Sequence, residues 1–586
     1  MNYKLRSERN KDLSITEQIF LNRGFALEDI NHFLNTTQDD VLSPDTIAHM
    51  RDGAQMLIKH ISANDNIFIQ IDSDCDGFTS AALLINYLHR HFPYFVENYV
   101  QYRVQDGKEH GIILKNVPKG TKLVIAPDSS SNDYTEHQIL KEHDIDVLVI
   151  DHHLAEKVSE YACVINNQLC DYPTKSLSGV GMVYKFCSYI DELLKVDTVN
   201  DYLDLVAVGM VGDMMDMRDF ETKYLITEGV ARIRNPHIKL RCMTNEYSIG
   251  PELTPFGISF YIAPFINAIN RSGTFDEKML VFESMLEYKA YDEIPSTKRG
   301  CKGQLETRVE QAIRTSNNVK NRQGRVEEAA SEILEQLIQE NNLLQNRLLI
   351  ITIPPEMAVD SSIVGLAANQ IANKYMRPTL ILNELELGTT KFWSGSGRNF
   401  ANSPLSRFKT FLSFTDLCDF VEGHEGAFGV SIKQTNLPKL IEKTNEQLAN
   451  IDFTPTYLVD FEFQFNDPYN LRNAILDIGA LKKHWGQGIE EPLIIVKNIK
   501  ITNNNLTLYE KGPTLKIALP EDISGMGVEL MKFRSSEEEY NSLYSESGCV
   551  TINVIGTCEI NSWHGNLKPQ ITIKDYEIIG KDAYYF

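Results

Sequence analysis

The sequence predicts an α/β protein of several domains: a parallel-sheet domain, long linker helices, a smaller α/β domain and a C-terminal β-barrel. Three observations carry that expectation. Apolar runs at 67–71, 122–126 and 146–150 alternate with helical patterns, as parallel strands joined by crossover helices do. A stretch at 303–345, rich in Glu, Gln, Arg, Leu and Ala, keeps apolar residues on one helical face. These are first Leu305, Val309, Ala312 and Ile313, then Val326, Ala330, Ile333 and Leu337. From about 451 the chain changes to short β-branched segments between turns, YLVDFEFQF (457–465), PLIIVKNIKI (492–501), VTINVIGTCEI (550–560) and PQITIKDYEII (569–579), the pattern of a small barrel. The expected domains are 1–290 with an N-terminal helical extension, the linker 291–346, then 347–450 and 451–586.

Composition narrows the class. The chain has 586 residues, more than one core is expected to serve. Hydrophobic content of 42% and charged content of 23% are those of a soluble globular protein. No apolar run reaches membrane-span length, and the start MNYKLRSERNKDLS lacks a signal-peptide core. Nine cysteines stand singly without a CxxC pair, which argues against a zinc ribbon or a disulfide framework and for a reducing cytoplasm. The net charge of −23 counts against a basic nucleic-acid coat, though bound cations and a local Lys/Arg groove can reverse the sign where it matters.

Taken in order, residues 1–60 read as helical and polar. SPDTIAHMRDGAQMLIKHI (43–61) has a serine cap, a proline in the first turn and apolar residues at helical spacing, so one helix is expected there. The stretch IFIQIDSDCDGFT (67–79) then runs from a buried-strand pattern into Asp72, Asp74 and Asp76. Alternate carboxylates point the same way if the chain stays extended. Converging, they repel and call for one or two divalent cations. AALLINYLHRHF (81–92) reads as a helix, KLVIA (122–126) as a strand leading to Asp128, YTEHQILKEH (134–143) as a helix, and DVLVI (146–150) as a strand ending at Asp151, His152 and His153. Parallel sheets bind ligands beyond the carboxyl ends of their strands, so these groups are expected to meet on one edge. LDLVAVGMVGDMMDM (203–217) reads as a helix buried nearly all round with Asp213 inside it. A metal removes the cost of burying that carboxylate, and a backbone or arginine partner is the alternative. Carboxylates with imidazole suit Mn²⁺ or Mg²⁺, Mn²⁺ being favoured by the histidine. The expected chemistry is two-metal phosphoester cleavage, in which ions about 3.5–4 Å apart clamp the attacked phosphate.

Together these residues resemble the DHH phosphoesterase superfamily, and within it the RecJ-like single-strand-specific exonucleases. The resemblance rests on DSDCDG (72–77), PDSSSND (127–133), DHH (151–153) and the helix carrying Asp213. LSGVGMVYKF (177–186) and APFINAINRSG (263–273) extend it. VGLAANQIANKYMRP (364–378), SGSGRN (394–399) and EGHEGAFGV (422–430) look like the family's DHHA1 domain. WGQGIEEP (485–492) and INSWHGNLKPQITIKD (560–575) look like its oligonucleotide-binding (OB) domain. Three places depart from the pattern. Gln70 stands where a histidine often precedes the central aspartate, Ser129–Ser131 replaces a glycine, and Val359-Asp360 replaces a Trp-His pair.

By resemblance, Asp74 and Asp128 hold one ion with Asp72 nearby, and Asp76, Asp128, His152 and Asp213 hold the other, with Asp128 bridging. Asp76, Asp128, His152 and His153 form the implied catalytic set. His153 either contacts the scissile phosphate or hydrogen-bonds Asp128. Arg103 and His110 occupy a substrate-contacting segment, and Arg271 is a further phosphate clamp; for either arginine a solvated surface role is the alternative. Ser396, Gly397 and Arg398, in SGSGRN read as a tight turn, and His424 are candidates to hold the strand. Trp563 and Tyr576 can stack bases or belong to the core. Residues 520–547 read as an inserted helix.

The resemblance implies a cytoplasmic 5′→3′ exonuclease that releases mononucleotides from single-stranded DNA in recombination, repair or replication. It would be a monomer supplied by single-strand-binding protein or a helicase. Two rivals remain: a DHH/DHHA1 phosphodiesterase acting on short oligonucleotides, pAp or cyclic dinucleotides, and an inactive DNA-binding or replisome-docking relative. The extra 451–586 segment favours a polymer substrate over the first, and the complete aspartate set speaks against the second.

Overall fold

The computed structural model describes residues 1–105, 110–244, 253–301, 303–357, 359, 363–465, 468–509, 513–519, 527–545, 548–563 and 566–583. The chain forms two compact units. One comprises Phe25–Asn321 with Leu481–Glu491; the other comprises Met1–Gly24, Arg322–Ala480 and Pro492–Phe586.

The first unit is built on a parallel sheet. Helix α1 (Met50–Ala63) leads into strand β1 (Asn66–Ile71), followed by α2 (Cys75–His91), β2 (Val100–Val104), β3 (Thr121–Pro127), α3 (Tyr134–Glu142), β4 (Asp146–Asp151) and β5 (Cys163–Asn166). The strand order is β2-β1-β3-β4-β5, all parallel. Ile67, Phe68, Ile69 and Ile71 are almost fully buried, as expected of a sheet covered on both faces. The order reverses between β1 and β3, which places the binding crevice beyond their carboxyl ends. Helices α4 (Gly179–Leu194) and α5 (Leu203–Gly212) pack against α2. That burial explains the apolar run through α2, whose residues Cys75–Leu88 are all buried.

Three expectations change here. The 43–61 helix begins only at Met50, because Ser43 and Pro44 start a separate short 3₁₀ turn, Pro44–Thr46. Helix α2 begins at Cys75 and not at 81: Asp74 is its N-cap and accepts the Gly77 N–H at 2.8 Å, so Asp76 sits on a helix and not on extended chain. Asp213 is the C-cap of α5, not an interior residue, and its side chain is 34% exposed.

In the same unit, α6 (Ala263–Ser272) carries Arg271 near its end. The long helix α7 (Arg308–Glu340) is a single element whose residues up to Asn321 belong to this unit and those from Arg322 to the other. Gly324 does not break it, since one helical glycine costs about 1 kcal/mol relative to alanine. Val309, Ala312, Ile313, Ala330 and Leu337 are buried, whereas Val326 is exposed and Leu305 lies outside the helix, exposed in the short strand Leu305–Thr307.

The second unit contains β6 (Leu349–Ile353), α8 (Val364–Tyr375), β7 (Thr379–Leu387), β8 (Thr390–Arg398), β9 (Phe420–His424) and β10 (Ala427–Lys433), in a sheet ordered β9-β10-β8-β7-β6. The glycine-rich SGSGRN stretch is therefore mostly strand and not a tight turn. A Cβ on Gly395 would lie 2.0 Å from the Ile381 carbonyl oxygen, and one on Gly397 would lie 2.4 Å from the Phe428 ring, so these glycines serve close packing in the sheet.

The C-terminal part contains β11 (Phe461–Gln464), α9 (Pro468–Gly479), β12 (Leu493–Ile501), β13 (Leu506–Tyr509), β14 (Thr514–Ala518), β15 (Glu529–Phe533), α10 (Glu537–Leu543), β16 (Gly548–Trp563) and β17 (Asn566–Ala583). They form a mixed seven-stranded sheet, β11-β12-β16-β17-β15-β14-β13. The 520–547 stretch thus holds a strand as well as the short helix α10. Residues Asn2–Leu5, expected to be helical, pair in parallel with Thr456–Val459, and Arg23 bonds Asp460. The first 24 residues accordingly pack with the C-terminal strands and not as an extension of the sheet domain.

Candidate active site

Five element ends deliver the acidic and imidazole groups, one of them the end of α5 at Asp213. Asp72 follows β1 directly and is buried. Asp76 lies in the first turn of α2, where the helix dipole favours a carboxylate. Asp128 follows β3 with a left-handed φ of +63°, and Ser130 repeats it at +80°. The chain therefore turns here without glycine, with Ser129–Ser131 in its place. Asp151 ends β4; one oxygen accepts from the His153 ring nitrogen Nδ1 at 2.8 Å and from the His152 N–H, and the other accepts from the Ser131 N–H at 3.0 Å. It fixes both histidines and ties the β3 and β4 exits together.

Groups that could hold a cation result. His152 Nε2 lies 3.3 Å from Asp128 Oδ1, 3.4 Å from Asp213 Oδ2 and 3.9 Å from Asp76 Oδ2. Atoms of Asp72, Asp74 and Asp128 come within 4.8 Å of one another. Asp128 belongs to both neighbourhoods. The start of α4 closes the site from behind. Ser178 Oγ and the Val180 N–H donate to Asp76 Oδ1 at 2.8 and 3.2 Å, and the Gly179 N–H donates to Oδ2 at 2.6 Å. A Cβ on Gly179 would fall 2.2 Å from Asp128 Oδ1. Sequence reasoning assigns these residues no role, although SGVG entering an apolar helical run is the signal of a closely approached helix start.

Comparison with known proteins places this geometry. The model of the DHH family, N-terminal domain, matches residues 66–210, and that of the RecJ OB domain matches 468–575. YorK of Bacillus subtilis strain 168, an SPbeta prophage-derived protein provisionally described as a single-strand DNA-specific exonuclease, is 35% identical over 99% of this chain and 98% of its own. The chain belongs to the RecJ-like DHH family. The single-stranded-DNA-specific exonuclease RecJ of B. subtilis is 24% identical over 97% of this chain and 70% of its own. The fold is that of the crystal structure of RecJ from Thermus thermophilus in complex with Mn²⁺, with a TM-score of 0.69 at 19% identity over 96% of this chain and 76% of that one.

The donor set of this RecJ-like chain fits divalent cations. Both carboxylate oxygens of Asp128, and His152 Nε2, are buried without a hydrogen-bond partner among the described residues. That arrangement is costly unless a cation completes it. Burial and then the charges of Asp72 and Asp76 push Asp74 up to about 6. Burial and then Asp76 and Asp74 push Asp213 up to about 8. Asp128 is raised by burial and the same carboxylates, and burial lowers His152. A bound cation reverses this trend. His153 goes the other way: its hydrogen bond to Asp151 raises it to about 9. Burial acts to raise Asp151, but the bonds from His153 and Ser131 hold it well below the usual carboxylate range.

The remaining candidates are dispersed. His110 Nδ1 lies 3.4 Å from Asp72 Oδ1. The Arg103 guanidinium sits over the Phe275 ring at 4.2 Å. Gln70 is buried in β1 and donates to the Arg103 carbonyl at 3.0 Å. Arg271 is exposed in the last turn of α6. In the second unit, Ser396, Gly397 and Arg398 end β8. Arg398 and His424 flank Ala427 from neighbouring strands. A Cβ on Gly365 would lie 2.6 Å from Arg398 Nη2 and 3.6 Å from Ser396 Oγ, so both side chains face the start of α8. Tyr576 is half-buried, with its hydroxyl 3.5 Å from Ser542 Oγ. The Trp563 side chain and Asp360 lie outside the described residues. No helix among the described residues is long and apolar enough to cross a membrane.

Proposed function

We propose that the protein is a metal-dependent exonuclease that degrades single-stranded DNA from the 5′ end and releases mononucleotides. The observation that carries the reading is the convergence of Asp72, Asp74, Asp76, Asp128, His152 and Asp213 in groups that could hold cations. Relatives aligned over nearly the whole chain bear the name of single-strand-specific exonucleases.

Asp72, Asp74 and Asp128 would hold one ion, and Asp76, Asp128, His152 and Asp213 the other, Mn²⁺ being preferred over Mg²⁺ because imidazole takes part. When bound, such ions polarise the phosphodiester and stabilise attacking and leaving oxygens. The chain's own groups do the rest. Asp151 and the α4 start hold His153 and Asp76 in place before substrate arrives. His153, raised to about 9, is cationic at neutral pH and suited to donate to a non-bridging phosphate oxygen. Arg271 in the first unit, and Ser396, Gly397, Arg398, His424 and Trp563 in the second, are each proposed to contact single-stranded DNA.

The test uses purified protein with Mn²⁺ and long single strands blocked at either end, beside a dinucleotide. Expected is release of mononucleotides from the strand with a free 5′ end and little from one blocked there. Equal degradation of both blocked strands would remove the polarity, and preference for the dinucleotide would replace the polymer substrate by a short one.

A further inference from the structure

We propose that His110 is a ligand of the ion held by Asp72, Asp74 and Asp128, supplying the imidazole that Gln70 does not. The inference rests on the metal centre proposed above and adds a residue to it.

The two ion positions differ in one respect. The position at Asp76, Asp128 and Asp213 includes the His152 imidazole, whereas the Asp72, Asp74 and Asp128 group contains carboxylates alone. Gln70, in β1 two residues before Asp72, carries an amide and no imidazole. It is buried, and its amide nitrogen is engaged with the Arg103 carbonyl of β2 at 3.0 Å. Its Oε1 is buried without a partner among the described residues but provides no nitrogen.

His110, arriving from the segment after β2, brings Nδ1 to 3.4 Å from Asp72 Oδ1. That spacing is long for a charge-assisted hydrogen bond. It equals the 3.4 Å between His152 Nε2 and Asp213 Oδ2 on the other side of the centre. Two neighbouring ligands on an ion about 2.1 Å away stand about 3 Å apart, so the His110–Asp72 contact, a long hydrogen bond in the absence of an ion, has a spacing that shared ligation can also take. The second, independent pointer is Asp128. It is 1% exposed, both its oxygens lack hydrogen-bond donors among the described residues, and it faces the same group. The His110 side chain is itself 78% exposed, so it can swing onto an ion without disturbing the core.

The experiment is a titration of the full-length protein with Mn²⁺ alone, without DNA, following free ion by electron paramagnetic resonance. Bound Mn²⁺ is then examined for ¹⁴N couplings. Wild type is compared with His110→Ala, a change on an exposed side chain. Expected is two binding positions in wild type, with one weakened by roughly tenfold or more in the variant, and couplings reduced from two imidazoles to one. A variant titration that superimposes on wild type overturns the assignment, as does a single position in wild type. Unchanged Mn²⁺ binding with a raised KM for single-stranded DNA also overturns it and makes His110 a strand contact. If Mn²⁺ binding behaves as expected but wild type cuts no DNA, the nuclease reading fails and the ligand assignment stands.

Discussion

Gly179→Ala isolates the contribution of the α4 start to the centre. The added Cβ would stand 2.2 Å from Asp128 Oδ1, 2.4 Å from its Cβ and 2.5 Å from its Cγ. Ordinary contacts of this kind are about 3.5 Å or more, so Asp128 or the first turn of α4 must move by about 1 Å. In the proposed function Asp128 serves both ion positions, and the same turn holds Asp76 through three donors. A shift of that size at reacting groups costs about 10²-fold, or about 2.7 kcal/mol of transition-state stabilisation. Overpacking separately costs about 1–3 kcal/mol of stability. The assay is kcat/KM on single-stranded DNA in Mn²⁺, with Mn²⁺ binding and Tm measured on the same samples. Ser178→Ala, which removes one donor and adds no atom, should fall well short of the Gly179→Ala loss. If Gly179→Ala binds Mn²⁺ and cuts as wild type does, α4 does not position the centre.

Two further outcomes follow from groups away from the site. Glu221→Ala leaves the fully buried Lys185 ammonium, now 2.7 Å from Glu221, without its carboxylate and with the Leu42 carbonyl as acceptor, and should cost about 3–5 kcal/mol in urea unfolding while leaving Mn²⁺ binding of the folded fraction unchanged. Burial acts to raise Asp146, but hydrogen bonds from Lys59, Lys141 and His60 bring it down to about 2. Its stabilisation is therefore complete above the unfolded carboxylate range near 3.8 and lost as pH falls through about 2. Asp146→Asn should lower Tm at pH 7 by a modest amount, because the group is partly solvated, and the difference should shrink towards pH 2 and vanish only below it.

Much of the centre is legible because its signals are local. Apolar runs set β1, β3 and β4, and a parallel sheet sends their ends to one edge, so Asp72, Asp128 and Asp151 can be placed without coordinates. The start of α2 is not legible. Asp74, Cys75 and Asp76 alternate as a strand would, and the N-cap bond to Gly77 decides the matter. Strand β2 escapes the pattern because Gln101 and Arg103 make it half polar, and β5 because it is only four residues long. Asp213 reads as buried inside a helix because its flanks are apolar, yet the helix stops at Gly212. SGSGRN looks like a turn because glycine usually marks one. In the fold those glycines admit the Ile381 carbonyl and the Phe428 ring, a demand set by neighbours distant in sequence. The pairing of Asn2–Leu5 with Thr456–Val459 joins stretches far apart in the chain, beyond the reach of any local pattern.

The most direct measurement is on Asp128→Asn, which keeps the shape of the side chain and removes its charge. Mn²⁺ binding and the rate of mononucleotide release are compared with wild type, and strand binding is followed in chelator. The account predicts weakened ion binding and cleavage slowed by more than about a hundredfold, with fold and strand binding retained. Wild-type cleavage and wild-type Mn²⁺ affinity in that variant would contradict it.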